Sequence, residues 1–403
     1  MNDIKFNLGA GGLGRPLAGE DHISGFNVAV NDANLPVGFD VDNRIKKVFS
    51  LEEAIDLGIT SDTTVKPLRE MYYALKTAYD ANKKIECYVQ LYSVEDFTKF
   101  SAEQIVILQR FAEGKIRQIG TLNPSTKFQN SDILELQHSC NILEAEHKPV
   151  SVVYSCDWVS TLEGVGSDLG NVQDLRSDIG SCKNVSVTIG TDGGSLGFSI
   201  YNELGFYPSI IGVTIGILSA AKVNENIGWV GRFDVSKNST AEFDVPAFAQ
   251  GSLVRNTDVN VIEMLNRQGF IFLLKHIGTA GTYFNDSPTV IIETSDYAYI
   301  ENVRTIDKAV RNTRTYLLPS LNAPLYVNRD GTLTEDTILT FKNDTSRALE
   351  EMQRNAEISA FEVTINPNQN VLSTSKLAIT IKIVPVGVAR NIEVNIGFAV
   401  KVG

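Results

Sequence analysis

The chain has 403 residues, 43% of them apolar and 21% charged, with a formal net charge of −12. That length predicts two or three domains with cores of their own, and the composition is that of a globular protein. The acidic balance excludes a nonspecific nucleic-acid binder, no apolar run reaches the roughly 18 residues of a membrane-spanning helix, and a start carrying Asp3 and Lys5 does not read as a signal peptide.

Residues 1–25 hold six glycines and Pro16 and read as an extended arm. Within it, Gly9-Ala10-Gly11-Gly12-Leu13-Gly14 matches G-x-G-x-x-G and follows the alternating Ile4, Phe6 and Leu8. A dinucleotide loop requires those glycines to open a helix whose first amides hold the pyrophosphate. Pro16 and Gly19 oppose a helix there. The glycines are therefore expected to keep the arm pliable, and no cofactor is expected.

Short strands broken by Pro36 and Gly38 are expected over 26–49. A helix is expected over 67–82, where Leu68, Met71, Tyr72, Leu75 and Tyr79 share one face and Pro67 suits the first turn. Residues 85–92 alternate as a strand does. Helices expected at 102–112, 131–146, 171–179 and 210–221 then alternate with strands at 116–122, 150–154, 185–189 and 270–274. Such alternation predicts β-α-β units and a mainly parallel sheet covered on both faces, interrupted by an irregular insertion around 224–249.

Two further places in this block invite chemistry. The loop Gly190-Thr191-Asp192-Gly193-Gly194-Ser195-Leu196-Gly197 follows a strand, where an open sheet binds ligands, but lacks the Lys and Ser/Thr of a phosphate loop. It is expected to be a turn. His138, Cys140, His147 and Cys156 suggest a metal set. Yet residues two apart on a helix point about 200° away from one another, and zinc spacings are absent. A Cys–His nucleophilic pair has no supporting pattern either. With Cys87 and Cys182, these cysteines are expected to be reduced and buried. Neither a catalytic nor a metal-binding residue is assigned.

The last hundred residues differ. Helices are expected over 297–318 and 334–357, then strands at 361–365, 377–384 and 392–400. The first helix places Ile300, Val303, Ile306 and Val310 at helical spacing, with Arg304, Lys308, Arg311 and Arg314 as a basic line opposite. In an acidic chain such a line suits an acidic partner surface. The last strand carries Ile392, Val394, Ile396, Phe398 and Val400 on one face. Ordering about ten such residues costs roughly 1–2 kcal/mol each. About eight ladder hydrogen bonds return near 1 kcal/mol each, and five apolar side chains about 1.5–3 each. The sums nearly cancel, so this strand is expected to order only against an accepting sheet edge.

At this point the chain resembles the contractile tail sheath proteins of phages, tailocins and related injection machines. The resemblance rests on KKVFSLEEAIDLGI and PLREMYYALKTAYDANKKIECYVQLY near the start and on NVIEMLNRQGFIFLLKHIGTAGTYFNDSPTV. It continues with DYAYIENVRTIDKAVRNT, containing Asn302-Val303-Arg304, and with the closing FEVTINPNQN and KLAITIKIVPVGVARNIEVNIGFAV, containing Val384-Pro385. One departure is 281–289, where the family often has a Trp-Gly-Arg-Thr-like sequence; Pro288-Thr289 is retained.

The resemblance implies an α/β fold: an outer, doubly wound-like α/β domain plus an α+β C-terminal sheath domain with strand-donating arms. The division it suggests is an arm at 1–25, an N-terminal part of the inner domain at 26–59, the outer domain at 60–275, the tube-facing domain at 276–390 and a donated strand at 391–403. It implies a non-enzymatic subunit that polymerises as helical rings around an inner tube and contracts to drive the tube through a target envelope. Baseplate and tail terminator or cap proteins are the further partners, without nucleic acid or membrane insertion. Assembly in the bacterial cytoplasm into a virion tail or tail-like particle is implied. Ile4, Phe6 and Leu8, and Ile392 to Val400, become candidates for strands lent to neighbours; Arg304, Lys308, Arg311 and Arg314 become the tube-facing set. A non-contracting sheath-like protein and a nucleotide-binding α/β enzyme are the alternatives.

Overall fold

The computed structural model describes residues 19–93, 101–163, 168–237 and 242–398. Seven strands make the main sheet: β1 (Ile23–Ala29), β2 (Ile45–Val48), β3 (Glu86–Tyr92), β4 (Gln118–Asn123), β5 (Ser151–Cys156), β6 (Val185–Thr188) and β7 (Phe270–Ile271), in the order β7-β6-β5-β4-β1-β3-β2. All neighbours are parallel except β2, which runs antiparallel to β3 at the edge. Helices α1 (Lys66–Ala81), α2 (Gln104–Phe111), α3 (Asn130–Ala145), α4 (Ser195–Leu204) and α5 (Ile211–Ala220) supply the crossovers and covering layers.

The period of two along each strand splits the core. Phe26, Val28, Val89 and Leu91 pack toward α1 and α5, whereas Ile119, Val152, Tyr154 and Val187 pack toward α2 and α3. The segment α5 is apolar around its whole circumference and buried accordingly. Its approach to α1 is close enough to require glycine: a Cβ on Gly212 would stand 2.2 Å from the Ala74 carbonyl oxygen, and one on Gly216 2.7 Å from that of Ala78.

Two expectations need correcting here. Residues 26–59 do not belong with the C-terminal domain. β1 is the strand around which the main sheet is built, with β3 on one side and β4 on the other. For the same reason the arm cannot extend to residue 25, because the chain enters the sheet at Ile23.

The C-terminal part consists of α6 (Ile300–Leu317), α7 (Glu335–Arg354) and an antiparallel pair, β8 (Ile358–Thr364) and β9 (Thr380–Pro385). α6 and α7 pack on one another, and Ala309, Leu349, Met352, Ile358 and Val363 form the small core between helices and sheet. Of the strand expected at 392–400, residues 392–398 have no regular secondary structure in the single chain, and 399–400 lie outside the described residues.

Candidate assembly site

An isolated two-stranded sheet is marginal in water; three or more strands or a helical cover are needed. The β8–β9 pair has a cover on one face, where Phe361, Ile381 and Ile383 lean on the α6–α7 core. Among the described residues no further strand pairs with its outer edges. Beside β9 runs an apolar groove of about 620 Å³ lined by Ile306, Val310, Leu317, Leu321, Ile381 and Ile383. The groove therefore adjoins a strand with free backbone donors and acceptors, which is the arrangement that accepts an added strand.

The tail is the second feature. Ile392 is 80% exposed, Val394 69%, Ile396 92% and Phe398 112%. Single exposed apolar residues are ordinary, whereas these four form an uncovered apolar row at strand spacing. Val400 lies outside the described residues, as do Ile4, Phe6, Leu8 and the glycine motif at 9–14.

The proposed basic face has a different environment from the one its spacing suggests. Arg304 is 3% exposed and donates to the Ala221 carbonyl. Lys308 Nζ bridges Asp21 Oδ2 at 2.7 Å and Glu357 Oε1 at 2.6 Å, and Arg311 lies 3.9 Å from Asp21 Oδ1. Glu20 pairs with Arg117 next to them. Lys308 and Arg311 thus face acidic groups of the same chain, Arg304 is buried against a backbone carbonyl, and Arg314 is the exposed one of the four. The helix is a junction joining the start of β1 to the start of β8. Burial opposes the charge on Asp21, but Lys308 outweighs it and holds the carboxyl below its usual range. Asp307, buried on the same helix, is pushed up to about 6 despite Arg311.

Asn302-Val303-Arg304 has a structural explanation of the same kind. The Asn302 amide donates to the Asp296 carbonyl at 2.8 Å and Val303 is buried. Thr289 Oγ1 donates to the Tyr297 carbonyl at 2.6 Å, tying the 281–289 stretch to the start of α6.

The places that invited chemistry are filled by the protein itself. The Asp192 carboxylate, fully buried, accepts from the backbone N–H of Gly194, Gly197 and Phe243 at 3.1–3.3 Å. It occupies the amides at the start of α4 that a phosphate would require. The crevice outside β4 and β5, beside the reversal of strand order, is closed by Lys66, Glu70, Asp157, Trp158, Phe206 and Tyr207 to about 10 Å³, the room of one water. Cys87, Cys140, Cys156 and Cys182 are buried free thiols. His138 is exposed on the outer side of α3, whereas Cys140 points into the core. Among the described residues no three His, Cys, Asp or Glu converge as metal ligands, and no helix is long and apolar enough to cross a membrane.

Comparison with known proteins gives two family matches and several structural ones. The profile described as DUF2586, N-terminal domain, matches residues 1–288, and that described as DUF2586, C-terminal domain, matches 296–403. No curated protein sequence matches the chain. A chain in the six-fold symmetrised cryo-EM structure of the anti-feeding prophage baseplate is similar with a TM-score of 0.61 and 14% identity, covering 99% of both chains. A chain of the anti-feeding prophage helical sheath in its contracted state matches with a TM-score of 0.61 and 14% identity over 98% of this chain and 99% of that one. The contracted sheath complex of PVC, an extracellular contractile injection system, contributes a chain with a TM-score of 0.57 and 12% identity over 94% of this chain and 92% of that one.

Proposed function

The chain belongs to the DUF2586 family and has the fold seen in chains of contractile injection particles, and from that premise we propose that it is the structural subunit of a contractile tail sheath. Copies stack as helical rings around an inner tube through head-to-tail contacts that do not close. Each lends residues 392–400 to the β8–β9 sheet of a neighbour, with Ile4, Phe6 and Leu8 acting likewise at the other end. The observation that carries this reading is a pair of unfinished halves in one chain: an unpaired sheet edge beside an apolar groove, and an unpaired tail with apolar residues at strand spacing. Each half lacks what the other supplies.

In this reading the extended polymer is metastable and a baseplate event releases it. Subunits then rotate as rigid bodies while the lent strands keep them joined, and the tube is driven through the target envelope. The tube, the baseplate and a terminator or cap protein are the partners, and the particle is a virion tail or tail-like assembly built in the bacterial cytoplasm. Of the four basic residues, Arg314 is the one available to a tube surface. Deleting residues 392–403 is expected to leave the α/β part folded by circular dichroism while abolishing tubes in negative-stain images. Tubes of normal length from that truncation would contradict the strand-lending reading.

A further inference from the structure

Just before the exposed tail, Arg390 lies back on the body of the chain. Its Nε donates to Asp286 Oδ2 at 2.8 Å, and its Nη2 donates to Glu301 Oε1. The guanidinium carbon sits 3.3 Å from the centre of the Tyr299 ring. The three receiving groups come from one corner: Asp286 from the loop before α6, Tyr299 from the residue preceding the helix, and Glu301 from its first turn.

Other residues of the body also hold this corner. Asn226 Nδ2 donates to Asp286 Oδ1 at 2.5 Å and to Glu301 Oε1 at 3.2 Å. The Ser287 N–H donates to Asp286 Oδ1 at 2.8 Å, and its hydroxyl donates to Glu301 Oε2. Both carboxylates are thereby held in one orientation. Glu301 is 3% exposed and would be a buried charge without a counter-ion if the tail left. Burial raises its pKa, which Arg390 partly offsets.

We infer that the Asp286–Tyr299–Glu301 corner is a guanidinium socket that pins the C-terminal tail to its own subunit at Arg390. Two carboxylates on different sides with an aromatic plate beneath match a planar fork with several donors. An ammonium, a compact point charge, satisfies one carboxylate and stacks poorly. The free segment therefore starts at residue 391 and leaves the body at one fixed point, and residues 391–398 reach at most about 29 Å from it. In a helical polymer that point selects which neighbouring sheet edge is within reach. This consequence for assembly rests on the strand-lending reading, whereas the socket does not.

The test is electron–electron double resonance on the full chain, spin-diluted with unlabelled chain, with labels at Ile392→Cys and Glu135→Cys. Glu135 is exposed on α3, and the native thiols are buried. The unaltered socket is expected to give one narrow distance distribution. Arg390→Ala and Arg390→Lys are each expected to widen it at least twofold. A width unchanged in Arg390→Ala would overturn the socket, and a narrow distribution in Arg390→Lys would overturn its preference for guanidinium. If Arg390→Ala does not fold, Asp286→Asn with Glu301→Gln removes the buried charge and is expected to free the tail; a narrow distribution there also overturns the proposal. Failure of this measurement leaves the sheath reading standing, and absence of tubes leaves the socket standing.

Discussion

Lys308 shows how much one side chain in this protein connects. Its ammonium joins Asp21 at the root of β1 to Glu357 at the root of β8, and Glu357 is nearly buried. Removing one partner of a buried pair leaves the other charge uncompensated, which costs more than the pair contributes. Lys308→Met is expected to lower unfolding stability by about 3 kcal/mol in urea titrations; an unchanged midpoint would reduce the cluster to solvated surface charge. Glu70 offers a pH test. Burial pushes its carboxyl up to about 7, although the Ser209 N–H donates to it and Lys66 lies near. Unfolded, it titrates near 4.5, so the folded state holds an extra proton between about pH 4.5 and 7. The stabilisation from that proton is full below pH 4.5 and lost as the pH rises through 7. Glu70→Gln, neutral throughout, is expected to exceed the parent in stability by about 3 kcal/mol more at pH 8 than at pH 4. Parallel stability curves for the two would contradict the buried-carboxyl account.

Among the elements, those with a clean period were legible in the sequence. The helix expected at 67–82 is found at Lys66–Ala81, because Leu68, Met71, Tyr72 and Leu75 lie on its buried face. β1 was hidden by composition: Ser24, Gly25 and Asn27 look like loop residues, yet all three are buried. A Cβ on Gly25 would stand 3.0 Å from Leu108 Cδ2, so a larger residue there would push on that side chain. The glycines of α5 follow the same logic against α1. Gly212→Ala is expected to cost at least the roughly 1–3 kcal/mol of an overpacked core, measured by thermal or urea unfolding, and a neutral result would contradict the close helix contact. Partnerships across the chain could not be read from spacing. Lys308 meets a carboxylate 287 residues away, and Arg390 meets two at separations of 104 and 89. A basic line on a helix therefore reads as an outward face, although Arg304, Lys308 and Arg311 of this one meet partners within the chain. The tail is the reverse case: its alternation was plain, but no described part of its own chain pairs with it as a strand.

Across the whole molecule, net charge is acidic and the two crevices that invited chemistry are filled by the protein's own groups. The α/β part is a sheet covered on both faces and carries the larger cores. The C-terminal part has a small core and a sheet of two strands. The larger buried cores therefore lie in the α/β part, and the unpaired strand edges of the two-stranded sheet in the other. A cryo-EM reconstruction of the assembled polymer, resolving side chains around β9, tests this most directly. The account predicts density for Ile392, Val394, Ile396 and Phe398 of one copy running along the β8–β9 sheet of another and filling its apolar groove. Density showing that segment folded against its own subunit, with the neighbouring groove empty, would contradict it.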